Sequence, residues 1–121
     1  MSRPALYTLR QCSTCREAVK WLETRKIAFE EKAIRETPPT PAELRAMLVA
    51  YQGEVRRLFN SSGLEYRALG LAKKLPALTT AEALGLLAGN GSLVKRPFLI
   101  GEGVALVGFD EDAWAKALSG K

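Results

Sequence analysis

Cys12 and Cys15 are the only cysteines in a chain of 121 residues that contains no histidine. Without imidazole there is no Ser-His-Asp triad, no Cys-His dyad and no pH switch of the usual kind. Two thiols alone also fall short of four zinc ligands within one chain. Nucleophilic chemistry must then come from cysteine, lysine, carboxylates or backbone dipoles. A disulfide closing so short a loop adds little stability, because loop-closure entropy grows with loop length. A lone C-x-x-C beside a strand-to-helix junction therefore reads as redox chemistry. The alternative is that both residues are small buried apolar side chains.

The surrounding pattern places the pair. Ala5-Leu6-Tyr7-Thr8-Leu9 predicts a buried first strand, and Thr14 with Glu17 forms a capping box that starts a helix over about 14–25. Cys12 then lies in the turn before a helix, where free N–H groups and the positive helix end favour an anion. A thiol in such a place falls from about 8.5 into roughly the 3.5–7.5 range. Arg10 and Arg16 flank it as candidate substrate-binding groups. Cys15, one turn into the helix, is the candidate resolving thiol.

A second constellation is Leu93-Val94-Lys95-Arg96-Pro97-Phe98-Leu99-Ile100. Pro97 precedes a strand, and in a thioredoxin-like fold the proline at this junction is commonly cis and faces the cysteine turn. Arg96 would then present a planar, permanently charged donor toward Cys12. Its alternative is an ordinary surface arginine.

The remaining chain fills in the order β-α-β, a helical middle, then β-β-α. A second strand is expected over 27–34, and Thr40, Pro41 and Glu43 start a helix to about Tyr51. A short helical piece over 55–59, a turn at Asn60-Ser61-Ser62-Gly63 and a helix over 66–75 follow. Thr79 with Glu82 starts another helix over about 80–88, which ends at Gly89-Asn90-Gly91. Phe98-Leu99-Ile100 and Val104-Ala105-Leu106-Val107 form a hairpin around Gly101-Glu102-Gly103, and Asp110 caps a last helix carrying Trp114. This predicts a single α/β domain over 1–121 of thioredoxin-like fold, with a core of about 1–36 and 92–121 and a helical subdomain inserted over about 37–91.

Eighteen Lys and Arg against 13 Asp and Glu leave +5, of which residues 1–35 supply +4. That bias around the cysteines suits an oxyanion or an anionic thiol. No basic run or basic-aromatic repeat accompanies it, so direct nucleic-acid binding is not expected. The N-terminal MSRPALYTLR lacks an apolar signal core, and no segment approaches the ~20 apolar residues that span a bilayer. The expected location is cytoplasmic, where thiols are kept reduced and can cycle.

The Leu6-to-Arg16 segment, Phe59-Asn60-Ser61-Ser62-Gly63-Leu64-Glu65-Tyr66-Arg67, Lys95-Arg96-Pro97, and Gly108-Phe109-Asp110 before a tryptophan helix together resemble the arsenate reductase-like (ArsC/Spx) family. The resemblance spans nearly the whole chain. It implies a glutaredoxin-dependent reductase with Cys12 as catalytic cysteine and Arg96 as one of its oxyanion arginines, with no cofactor beyond glutathione or glutaredoxin as co-reductant. The arginine usual in the turn after the short middle helix is replaced by Asn60-Ser61-Ser62-Gly63. A third, usual after the hairpin strand, is replaced by Leu106-Val107-Gly108-Phe109. The Cys12/Cys15 pair instead resembles the Spx branch, whose members carry a C-x-x-C redox switch and bind RNA polymerase, with Gly53 ahead of Val55-Arg56-Arg57 at part of that surface. Gly53 also reads simply as a helix terminator.

Overall fold

The computed structural model describes residues 3–119. Four strands form one sheet in the order β2-β1-β3-β4, with β1 spanning Ala5–Thr8, β2 Glu30–Ala33, β3 Phe98–Gly101 and β4 Val104–Val107. β2 runs parallel to β1, while β3 is antiparallel to both β1 and β4. The central strands are apolar on both faces and buried, and the β2 edge carries the exposed charges Glu30 and Glu31. Charge on an edge strand discourages further pairing.

Strand alternation divides the core in two. Leu6 and its β3 partner Leu99 point to one face, where they pack with Ala18 and Leu22 of α1 (Ser13–Thr24) and Trp114 and Leu118 of α6 (Glu111–Leu118). Tyr7 and its partner Phe98 point to the other face, with ring centroids 5.7 Å apart, edge to face. That face receives Leu44 and Met47 of α2 (Pro41–Ala50) and Leu87 of α5 (Thr80–Gly89). Tyr7 Oη donates to Glu43 Oε1 at 2.6 Å, tying the central strand to the first turn of α2. The architecture is α/β and thioredoxin-like, with a helical insertion between its two halves. Among the described residues, no helix is long and apolar enough to cross a membrane.

Three expectations shift. The helix expected over 66–75 is broken into α3 (Leu64–Ala68), α4 (Leu71–Lys74) and a 3₁₀ turn at Leu75–Ala77. Gly70 sits between α3 and α4 at φ +66°, a left-handed conformation that a right-handed helix cannot continue through. β2 is shorter than the expected 27–34, because Ile27 and Phe29 pack against the α1/α6 cluster before the chain joins the sheet. The third concerns the start of α1.

Candidate active site

Cys12 itself is the N-cap of α1, which makes Ser13 the first helical residue and displaces the Thr14–Glu17 box from that role. The turn closes first: the Cys12 N–H donates to the Leu9 carbonyl at 3.0 Å, and the Cys12 carbonyl accepts from the Arg16 N–H at 3.1 Å. The sulfur then does what a serine or aspartate oxygen does at other N-caps, accepting the Cys15 N–H at 3.4 Å. Cys12 is half-buried and Cys15 is buried, both as free thiols.

The opposite wall is set by a small antiparallel bridge, Phe59 with Val94. The Asn60 N–H donates to the Leu93 carbonyl at 2.8 Å, and the Lys95 N–H to the Leu58 carbonyl at 2.9 Å. This holds the Asn60–Gly63 turn beside Lys95 and Arg96. The Arg96–Pro97 peptide is cis and Pro97 is buried. The Pro97 carbonyl accepts the Gly108 N–H at 2.9 Å, and the Gly108 carbonyl accepts Trp114 Nε1–H at 2.9 Å. One wall of the site is thus pinned to the α6 side of the core.

Between these walls lies a cavity of about 770 Å³ onto which Cys12, Arg35, Asn60, Ser92, Lys95 and Arg96 open. Arg96 Nε is buried and has no hydrogen-bond partner among the described residues. Burial pushes the Cys12 thiol up. Hydrogen bonds from the Cys15 side chain and N–H and from Arg96, together with the Arg96 charge, outweigh burial and bring the thiol below its ordinary range. Cys15 goes the other way: burial pushes it up to about 12, against a lowering contact from the Leu9 backbone and reinforced by the nearby Cys12 sulfur. The arrangement puts a thiol shifted toward its thiolate at the cavity, a second thiol kept protonated by burial behind it, and an arginine on the lining in front.

Arg10 and Arg16 are not brought to this cavity. They line a separate depression with Thr8, Glu31 and Ala33. The parallel register sets Glu31 beside Leu6, and Arg16 turns to it, forming an ion pair at 2.5 Å with a further bond to Thr8 Oγ1 at 3.4 Å. Arg67 is likewise occupied, donating to the Ser62 carbonyl at 3.2 Å. Sequence reasoning missed Arg35 and Lys95. Arg35 lies just past the C-terminal end of β2 and Cys12 just past that of β1, and the ends of parallel neighbours share one edge of the sheet, where α/β ligands gather. The strand-helix-strand reading therefore already held the signal for Arg35. Lys95 adjoins Arg96 in sequence.

The ArsC family model matches residues 7–117. The uncharacterized protein YusI of Bacillus subtilis is 41% identical over 106 residues, covering 88% of this chain and 90% of its own length. The global transcriptional regulator Spx of Enterococcus faecalis is 32% identical over 107 residues, covering 88% and 80%. Among solved structures, an ArsC-family-related protein of Bacteroides fragilis superposes with a TM-score of 0.89 at 39% identity, over 96% of this chain and 98% of its own. The arsenate reductase of Vibrio cholerae gives 0.75 at 25% identity, over 96% and 95%.

Proposed function

Because the chain belongs to the ArsC family, we propose that it is a cytoplasmic thiol-dependent oxidoreductase acting through Cys12. The observation that carries this reading is a single one: the lowered Cys12 thiol and the Arg96 guanidinium open onto the same cavity. With arsenate, the Cys12 thiolate forms a sulfur–arsenic bond and water leaves. A second thiol, Cys15 or an external glutathione or glutaredoxin, then attacks the Cys12 sulfur. A disulfide forms, the sulfur–arsenic bond breaks, and its electron pair leaves with arsenic reduced from the pentavalent to the trivalent state. With a disulfide substrate the same attack gives a mixed disulfide instead. Arg96 and the first turn of α1 stabilise the negative charge on substrate or leaving group. Thiol-coupled reductase assays with arsenate and with a small disulfide test the reading. Cys12→Ser is expected to abolish both activities, and full retention in that variant would overturn the mechanism.

The likeness to Spx regulators supports a second reading, a redox-switched module whose Cys12–Cys15 disulfide alters affinity for RNA polymerase. α2 ends at its C-cap Tyr51, Gln52 and Gly53 follow in the left-handed region at φ +61° and +81°, and Arg56 and Arg57 beyond them are exposed. This reading expects polymerase capture that differs between oxidised and reduced protein. Equal capture in both forms and in Cys15→Ser would remove it.

A further inference from the structure

The first turn of α1 has little apolar anchorage of its own. Ala18 and Leu22 pack against the sheet, with Val19 and Trp21 partly buried beside them, while the turn before them buries only Cys15. No large apolar side chain pins the end that presents Cys12. A small rotation about the Leu22 anchor would swing the helix start and open the contact from the Cys15 N–H to the Cys12 sulfur at 3.4 Å.

A polar clasp holds that end instead. Glu31 Oε2 accepts Thr8 Oγ1–H at 2.5 Å and Arg16 Nη2–H at 2.5 Å, and Nη2 also reaches Thr8 Oγ1 at 3.4 Å. Three elements contribute one side chain each: Thr8 ends β1, Arg16 lies in the first turn of α1, and Glu31 belongs to β2. The register brings them together. Glu31 stands beside Leu6 across the parallel pair, so by strand alternation Leu6, Thr8 and Glu31 all face α1. Thr8 is buried, 4% exposed, and a buried hydroxyl needs a partner, which Glu31 supplies.

The clasp also grips the Cys12 turn from both ends. Leu9, next after Thr8, accepts the Cys12 N–H at 3.0 Å, and the Arg16 N–H donates to the Cys12 carbonyl at 3.1 Å. Joining Thr8 to Arg16 through Glu31 therefore ties the residue before the turn to the residue that closes it. As a source of stability the ion pair is weak, because the Arg16 and Glu31 side chains are 47% and 37% exposed and solvent screens them. Its use lies in direction. Arg10 is the other charged group on this depression, and it makes no part of the network.

We propose that Glu31 is a positioning residue for Cys12: by joining Thr8 to Arg16 it holds the start of α1 at the angle that aims the Cys15 N–H at the Cys12 sulfur. This role rests on the reading of Cys12 as the nucleophile. It differs in sign from an effect of the carboxylate charge. A nearby negative charge disfavours a thiolate, so a Glu31 acting by charge would make Cys12 harder to ionise, and its removal would ease ionisation. Removal of a positioning contact makes ionisation harder.

The test follows iodoacetamide labelling of Cys12 against pH in the native protein, Glu31→Ala, Glu31→Gln and Thr8→Val, with urea unfolding to confirm that each variant is folded across the range. Glu31→Ala and Thr8→Val should raise the Cys12 midpoint by roughly half a unit to one unit, a three- to tenfold loss of thiolate at pH well below the midpoint. Glu31→Gln keeps an acceptor oxygen of the same reach and should stay close to the native midpoint. The double variant Glu31→Ala/Thr8→Val should move no further than Glu31→Ala alone, because both substitutions break one network. Thr8→Val, equal in shape to the native residue, decides the matter if Glu31→Ala does not fold. Midpoints unmoved in the folded variants would overturn the positioning role, and so would midpoints that fall in both Glu31→Gln and Glu31→Ala, the mark of charge. A native midpoint at the ordinary thiol value of about 8.5 would overturn the reading of Cys12 as an activated thiol, and the positioning role with it.

Discussion

The sulfur of Cys12 accepts the backbone N–H of Cys15 at 3.4 Å, so the residue that would resolve the nucleophile also helps to activate it. The same contact separates the two thiols chemically. Donors surround Cys12 and favour its charged form, whereas Cys15 is buried, loses solvation on ionising and meets the Cys12 sulfur as a like charge. Two identical side chains three residues apart are thereby shifted in opposite directions, Cys12 toward the thiolate and Cys15 toward the protonated thiol.

Alkylation should expose that division directly. As iodoacetamide labelling is followed against pH, Cys12 is expected to react with a midpoint below the ordinary thiol value of about 8.5, while Cys15 stays unlabelled in the folded protein. Arg96→Gln removes a donor and a positive charge that favour the thiolate, so the Cys12 midpoint should move up and labelling at pH 7 should slow. Mass spectrometry of the labelled peptide gives both quantities. An unmoved midpoint in Arg96→Gln would mean that the helix start alone activates the thiol.

Stability against pH carries a second expectation. Cys15 has a folded pKa raised to about 12, so its contribution to stability is complete below the ordinary thiol value and is lost as pH rises toward 12. Cys12 has the opposite sign: its contribution is present above the ordinary value and lost as pH falls through the lowered one. Above about pH 9 Cys12 is ionised in folded and unfolded chains alike, which leaves Cys15 as the thiol that changes stability. Urea unfolding at pH 8 and pH 10.5 should show the native protein losing more stability than Cys15→Ala between the two conditions. Comparing two variants at the same pH cancels the lysines and tyrosines that titrate in both. Equal losses would show that Cys15 ionises freely in the fold.

How much of this was legible beforehand depended on how local each signal is. The boxes at Thr40–Glu43 and Thr79–Glu82 form as read, since each is complete within one helical turn and no tertiary contact competes. The third box fails at Thr14 because the Leu9–Cys12 turn closes two residues upstream and hands the cap to a sulfur, an N-cap that lies outside the usual residue preferences. Arg16 looked like a partner for Cys12 from its place in the sequence. Only the β1/β2 register, which puts Glu31 within its reach, shows where its charge goes. Lys95 was hidden for a different reason: its direction depends on an absent side chain at Gly108, thirteen residues away and in another strand connection.

Gly91 is where the turn that carries Ser92 meets the chain that carries Arg35, and it gives a direct structural test. A Cβ there would lie 1.9 Å from the Ile34 carbonyl oxygen and 2.8 Å from its carbon, both backbone atoms that cannot rotate aside. Gly91 opens the 3₁₀ turn Gly91–Leu93 that carries Ser92, while Ile34 directly precedes Arg35 at the end of β2. Ile34 is also fixed from its other side, its N–H donating to the Thr8 carbonyl at 2.9 Å. Gly91→Ala must therefore push the turn away from the sheet. Overpacking costs about 1–3 kcal/mol where side chains can yield, and here the backbone must yield, so the upper end or more is expected. The urea midpoint should fall with the slope unchanged. Because the displaced turn takes Ser92 from Arg35, the variant should also lose the Arg35–Ser92 hydrogen bond, so that Ser92→Ala costs stability in the native background and little in Gly91→Ala. A folded variant that keeps its stability, and in which Ser92→Ala costs as much as in the native background, would show that the Ile34–Gly91 contact positions neither residue.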